Sequence, residues 1–303
     1  MKKFLTKFII FLLVFPIFYI CLIIIYGELT PSYLYKNLFF KKETAGFSYT
    51  RFKEVDAFKN IDILFLGSSR SYRHYDIRKF EELGYRAFNL GSGGQTFLQT
   101  QVLVNRYLDQ LNPKLVILDI YPGMFSNDGI ESSLDIIIND NNDQFSRQLI
   151  WNERNVMLLN TWVYNNYKRL IGGKSNKDME DNLSTYISGG FVERKVTNST
   201  DVLRASHDWK IKSSQWMAFQ KVIHKIKRSN AGLILINSPY QSTIKVQRNN
   251  KLEKFFQQQN IEFLDYSHVL ELNDTLNFYD PIHLNQKGVD IFNNLLIKEL
   301  FEQ

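Results

Sequence analysis

The sequence predicts an α/β fold of three layers, a parallel sheet flanked by helices, carried on one N-terminal transmembrane helix. Three observations predict it. Short apolar runs, most of them bounded by Gly or Pro, alternate with segments of helical periodicity, as in a sheet buried on both faces. Nineteen residues from Phe8 to Tyr26 pass without a charge. The 303-residue chain is 44% hydrophobic and 22% charged, which excludes a disordered chain and a multispanning membrane protein.

The apolar run comes first. As a helix it spans roughly 28 Å, about the hydrocarbon thickness of a bilayer. Pro16, inside it, is tolerated in lipid. A cleaved signal peptide is the rival reading, but no A-x-A-like site follows, and Cys21 lacks the small residues that precede a lipoprotein cysteine. An uncleaved anchor is therefore expected. Lys2, Lys3 and Lys7 place the N-terminus in the cytoplasm, against the weaker opposing pull of Lys36, Lys41 and Lys42. The expected layout is a cytoplasmic stub and anchor (1–30), a connecting segment (31–58) and an extracytoplasmic domain (59–303) with an insertion at about 123–212.

Charge supports this division. The net charge is +6, yet residues 1–42 hold +5 of it, leaving the body nearly neutral. A basic arm on a neutral domain gives no footprint for nucleic acid. The single cysteine falls in the span, so the exported domain has no disulfide, thiolate nucleophile or cysteine metal cluster.

The elements of the domain follow in order. Residues 61–67 (IDILFLG) read as a buried strand, 76–83 as a short helix and 85–91 (YRAFNLG) as a second strand. Thr96–Leu111 has helical spacing and is stopped by Asn112-Pro113; KLVILDIY (114–121) is a third strand. The insertion is rich in Asn, Ser and Asp, contains Trp151, Trp162 and Trp209, and includes the helical WNERNVMLLNTWVYNNYKRLI. Ser213–Arg228 is an amphipathic helix, and AGLILINSP (231–239) a fourth strand. Lys245–Gln259 is helical, IEFLDYS (261–267) a fifth strand and Asn285–Phe301 the closing helix.

In open α/β sheets, ligands bind beyond the carboxyl ends of the strands. Gly67-Ser68-Ser69-Arg70-Ser71 follows the first strand, where a tight turn exposes a serine oxygen beside free amides. Spacing alone leaves open which of Ser68 and Ser69 is exposed, and an ordinary turn is the plainer reading. After the second strand comes NLGSGGQT (89–96), whose amides suit an anion or a developing oxyanion. It matches no G-x-G-x-x-G pattern, so no dinucleotide cofactor is expected, and no cofactor of any other kind. Asp280 and His283 stand three apart in a proline-containing turn, where a carboxylate can orient a general-base imidazole, or merely cap the closing helix. His74, His207, His224 and His268 lack ligand spacing and read as structural. NDNND (139–143) lacks the Gly and Glu of a calcium loop and reads as solvated loop, so no metal is expected.

Taken together, the three turns resemble the SGNH (GDSL-like) hydrolase superfamily over residues 61–121 and 213–303. Gly67-Ser68-Ser69 matches its G-D-S block, Asn89, Gly91, Gly94 and Thr96 its N-x-G-x-x-G-x-T block, and Asp280, His283, Leu284, Asn285 and Gly288 its D-x-x-H block. The resemblance implies an SGNH-hydrolase, flavodoxin-like fold and a Ser69–His283–Asp280 triad, with the amides of Ser69 and Gly94 as oxyanion donors. Arg70, Asn89 and Ser68 are candidate substrate-binding residues, Arg70 steadying an anionic glycan or simply pairing with an acid. One block departs. The third strand ends LDIYPGMF (118–125) without the Asn that completes the family's oxyanion hole, which leaves that donor to another group, such as a side chain from the insertion.

Membrane-anchored relatives share this lapse, among them D-alanyl transfer proteins of teichoic acid modification and alginate acetylation proteins. They imply a membrane-anchored esterase or O-acyltransferase acting on cell-envelope glycans, with a multispanning membrane acyltransferase as partner. The alternative is a non-catalytic partner or glycan-binding module of an envelope-polymer complex.

Overall fold

The computed structural model describes the chain apart from residues 42–45, 173–182, 196, 200–202, 204, 208, 209, 247, 248, 268–271 and 303. Lys42, Trp209 and His268 lie outside the described residues, as does the side chain of His207.

Five strands form one parallel sheet: β1 (Ile63–Leu66), β2 (Ala87–Asn89), β3 (Leu115–Asp119), β4 (Gly232–Asn237) and β5 (Glu262–Asp265). Their order is β2-β1-β3-β4-β5, with Phe65 level with Asn89 on one side and Ile117 on the other. The chain therefore leaves β1 in one direction and returns past it to β3. That reversal opens a crevice at the carboxyl ends of β1 and β3.

The strands read as continuous apolar runs because both faces are covered. Leu64, Leu66, Val116, Leu118 and Leu235 face α5 (Phe97–Leu111), α10 (Ser213–Arg228) and α11 (Asn250–Gln258), meeting Leu103, Phe219, Val222 and Phe256. The alternate residues Ile63, Phe65, Ile117 and Ile236 face α4 (Ile77–Glu81) and α12 (Gln286–Leu300), meeting Phe80, Phe292 and Leu296. Each such side chain contributes about 1.5–3 kcal/mol by leaving water. A six-residue helix, α3 (Ser69–His74), leads out of β1.

Other segments depart from the sequence reading. The stretch 31–58, expected only to connect, holds α2 (Ser48–Glu54) and places Phe52 and Val55 in the main core. Arg51 within it is fully buried and donates to the carbonyls of Gly46 and Gly190. The insertion is helical at first: α6 (Pro122–Ser126), α7 (Ile130–Asn139), α8 (Gln144–Glu153) and α9 (Val156–Leu170). The single helix expected over 151–171 is broken because Arg154 turns left-handed (φ 49°) and Asn155 caps α9 through the amides of Met157 and Leu158. An antiparallel hairpin, Ser184–Ile187 with Phe191–Arg194, follows and bonds to β2 through Asn89 N–H and Gly189 O (2.7 Å).

The NDNND run is not a solvated loop. Asn139 and Asp140 are buried, Asp143 caps α8, and Arg106 of α5 pairs with both Asp140 and Asp143. A buried guanidinium recruits the carboxylates inward, a pairing that local composition does not reveal.

At the other end of the chain, α1 (Lys2–Leu29) contains Pro16 and leaves most of its apolar side chains exposed. Among the described residues it is the one helix long and apolar enough to cross a membrane.

Candidate active site

The site is assembled at the carboxyl edge of the sheet. Gly67 ends β1 with φ +143°, and a Cβ there would lie 2.9 Å from the Asp119 carbonyl, so only glycine permits the turn. Ser68 then caps α3, its hydroxyl accepting from Arg70 N–H (3.3 Å), and is buried. Ser69, the first residue of the helix, remains partly exposed. This settles the choice left open between the two serines: Ser68 is spent on the cap and Ser69 faces outward.

The late block supplies the partners. Asp280 closes β6 (Phe278–Asp280) and His283 opens β7 (His283–Leu284), a short antiparallel pair. Asp280 Oδ1 accepts from the amides of Ile282 and His283 (2.9 Å each), which fixes the turn. Its other oxygen accepts from His283 Nδ1 (2.8 Å), and His283 Nε2 lies 2.8 Å from Ser69 Oγ. The structure thus brings Ser69, His283 and Asp280 into one hydrogen-bonded row across 214 residues of sequence. Burial opposes ionisation of Asp280, but the His283 bond and the two amides outweigh it and hold the carboxyl below its ordinary value. Burial, reinforced by Arg73 and Arg70, likewise holds His283 below its ordinary value against the pull of Asp280. A neutral imidazole at neutral pH is what a general base requires.

Asn285 and Gly288, the other polar and glycine positions of this turn, are architectural. Asn285 is buried, caps α12 through Gly288 N–H and donates to the Leu276 carbonyl. Gly288 is required because a Cβ there would lie 2.2 Å from the Asn277 carbonyl.

The second turn carries the other polar groups. Asn89 is buried and bonded inward: Oδ1 accepts from Gly91 N–H (2.9 Å) and Ser71 Oγ, and Nδ2 donates to the Ser71 carbonyl. It braces the turn. Gly94 is left-handed (φ +62°), and no described group accepts from its amide or from that of Ser69.

Arg70 likewise turns inward. It bonds to Asn237 and Ser238 at the end of β4, lies 3.8 Å from Asp119 and stacks over Tyr121 and Tyr240. Of its two expected roles, the structure gives it the acid partner.

Two further groups flank the triad: His74, which the sequence reading took as structural, and Tyr279, which it did not single out. His74 is buried, and its Nε2 accepts from Leu284 N–H (3.1 Å), so its proton sits on Nδ1 and is donated to Ser238 Oγ (2.9 Å). Burial holds it well below its ordinary value, with Arg70 and His283 adding to the shift. It pins the strand that carries His283. Tyr279 stacks on the His283 ring at 5.4 Å, nearly parallel. Its signal was adjacency to Asp280; His74 had none, because its partners are remote in sequence.

The insertion brings Glu131, from the first turn of α7, over Gly93 and Gly94. It brings carboxyl oxygens, not an N–H group, to the place where the sequence reading looked for a donor from the insertion. At the end of β3 stands Tyr121, its hydroxyl beside Ser68 and its ring against Gly123, where a Cβ would lie 2.3 Å from Cε2.

No family model and no curated protein matches the chain. Solved structures that it is similar to include a Bacteroides fragilis protein assigned to the acylhydrolases (16% identity, TM-score 0.42, 86% of this chain and 97% of that one). Others are a GDSL-like lipase from Bacteroides thetaiotaomicron (14%, 0.42, 83% and 97%) and an acetyl xylan esterase (13%, 0.40, 80% and 100%). Likeness at this level says nothing of reaction or substrate.

Proposed function

We propose that the protein is a membrane-anchored serine acyl-transfer enzyme acting on ester groups of cell-envelope glycans. One observation carries the reading: a partly exposed serine at the carboxyl edge of a parallel sheet, bonded to a neutral histidine that a carboxylate orients, each link 2.8 Å. Ser69 Oγ attacks the ester carbonyl while its proton passes to His283 Nε2. The tetrahedral oxyanion is received by the amides of Ser69 and Gly94. Collapse breaks the ester C–O bond, His283 returns the proton to the departing alkoxide, and the acyl group stays on Ser69. A second hydroxyl then reverses the sequence, with His283 again as base. Water makes the enzyme an esterase; a sugar hydroxyl makes it an O-acyltransferase.

The envelope setting rests on α1 as a single-pass anchor, N-terminus inside, and on the resemblance to the membrane-anchored SGNH branch. The same resemblance suggests a multispanning acyltransferase as the source of acyl groups.

A fluorophosphonate probe on the purified full chain tests the reading. Stoichiometric labelling is expected, lost in Ser69→Ala and retained in Ser68→Ala. A folded protein that binds glycan yet takes no label would replace the enzyme with a non-catalytic glycan-binding module.

A further inference from the structure

Three strand ends meet at the carboxyl edge, and each is followed by one partly exposed residue between buried neighbours. These are Ser69 after β1, Gly94 after β2 and Tyr121 after β3. Because β1 lies between β2 and β3, the three flank one crevice. Leu66 is level with Leu118, so Ser69 and Tyr121 each stand three residues past the same rung of the sheet. The two chains stay close beyond that rung: a Cβ at Gly67 would lie 2.9 Å from the Asp119 carbonyl.

The Tyr121 ring is pinned. The Arg70 guanidinium lies over it, 5.2 Å from its centre, and a Cβ at Gly123 would lie 2.3 Å from its Cε2. Its hydroxyl lies beside Ser68 and within electrostatic reach of Glu131, whose carboxyl oxygens stand over Gly93 and Gly94. Those neighbours put the hydroxyl between the nucleophile's turn and the Gly91–Gly94 turn. Its proton is uncommitted. Ser68 Oγ accepts from Arg70 N–H (3.3 Å) and keeps its own proton to offer, and no described group accepts from the Tyr121 hydroxyl. Three other donors of this edge are spent inward: Arg70 on Asn237 and Ser238, Asn89 on the Ser71 carbonyl and His74 on Ser238. Burial raises the Tyr121 pKa above its ordinary value, with Asp119 and Glu131 adding to the rise against Arg70 and Ser68. The phenol therefore keeps its proton at neutral pH.

We propose that Tyr121 is a third oxyanion donor, its hydroxyl joining the amides of Ser69 and Gly94 on the oxygen that turns negative when Ser69 attacks. This rests on the acyl-serine reading above. A phenol suits the place because its one proton has no internal acceptor and its pinned ring needs no reorganisation as charge develops. The proton is shared with the oxyanion and never transferred; His283 remains the group that exchanges protons with substrate. The sequence reading named the insertion as one source of such a donor. The assignment puts it at the end of β3 instead, just before the insertion begins.

Tyr121→Phe in the full chain, kept in mild detergent, tests this with p-nitrophenyl acetate as substrate. Loss of one donor should lower kcat about a hundredfold while KM and the melting temperature stay close to wild type. A rise in KM at unchanged kcat would make Tyr121 a substrate-binding residue and overturn the assignment. So would full activity in Tyr121→Phe beside an inactive Ser69→Ala, a result that leaves the acyl-serine reading standing. If the wild type neither cleaves the ester nor takes the fluorophosphonate label, that reading falls and the donor with it. Should Tyr121→Phe melt early, Tyr121→tetrafluorotyrosine keeps the ring and carries a far more acidic hydroxyl. Its activity should fall at a lower alkaline pH than the wild type's, since a phenolate has no proton to give. Matching pH profiles would refute the donor.

Discussion

The candidate active-site edge and the insertion both carry local and long-range hydrogen bonds, but the local ones shape different things, turns in the first and helix ends in the second. At the edge the turns are closed by local brackets: Ser68 to Arg70 N–H, Asn89 to Gly91 N–H, Asp280 to the amides of Ile282 and His283, Asn285 to Gly288 N–H. Long-range bonds, among them Arg70 to Asn237 and Ser238, His283 to Ser69 and His74 to Leu284, then join turns already shaped. In the insertion the local brackets are helix caps, Asp143 on α8 and Asn155 on α9, and long-range bonds set the shape. Arg106 reaches Asp140 and Asp143, 34 and 37 residues away, Gln99 bonds Ser133 and Glu153, and Asn165 bonds the Ile137 carbonyl. Local brackets pre-organise chemistry and long-range ones hold a shape. Substitutions should therefore cost activity at the edge and stability in the insertion.

The sharpest test of that contrast is Asp280→Asn. The amide keeps an oxygen for the Ile282 and His283 N–H groups but no longer favours the tautomer with His283 Nε2 free. A fall in kcat of about 10⁴ is expected with the melting temperature nearly unchanged. Ester hydrolysis and thermal melting of the same preparation check it; a parallel loss of both would erase the distinction. The wild-type acid limb should lie below pH 6.5, because His283 is held below its ordinary value and is inactive once protonated.

Arg106→Ala should do the converse. Asp140 is buried, and burial already raises its pKa against the pull of Arg106. Stranding it costs about 3–5 kcal/mol. Chemical denaturation in mild detergent should register that loss while the folded fraction retains its fluorophosphonate labelling.

Glu153→Gln is the smallest test and has a pH signature. Burial pushes the Glu153 carboxyl up to about 7, against the opposing bonds from Ser133 and Gln99, and its Oε2 has no partner among the described residues. The folded state thus holds this proton more tightly than the unfolded chain. Its contribution is fully present below pH 4.5 and declines as pH rises through 7. Gln keeps the neutral shape at every pH. Melting at pH 8 should rise by roughly 2–4 °C, the equivalent of about 1 kcal/mol, with no gain at pH 4.5.

How legible the molecule was in its sequence follows from the same contrast. The strands of the sheet could be read because burial on both faces demands unbroken apolar runs, as in Ile63–Leu66. The turns around Gly67, Gly94 and Asp280 could be read because each bracket closes within a few residues. The roles of Asn89 and Arg70 could not, since whether a polar side chain faces substrate or protein depends on what the fold brings to it. Residues 31–58 misled for a similar reason: Phe52 and Val55 acquire a core to enter only once the sheet exists.

By itself, then, the sequence determined the alternation of strand and helix, the apolar N-terminal helix and three chemically suggestive turns, all encoded by neighbours along the chain. Tertiary structure alone decided that Ser69 rather than Ser68 meets His283, that Arg70 pairs inward with Asp119, and that α9 packs alongside α1. Those outcomes depend on groups far apart in sequence being held within about 3–4 Å, a condition that only the packed sheet and its helices impose.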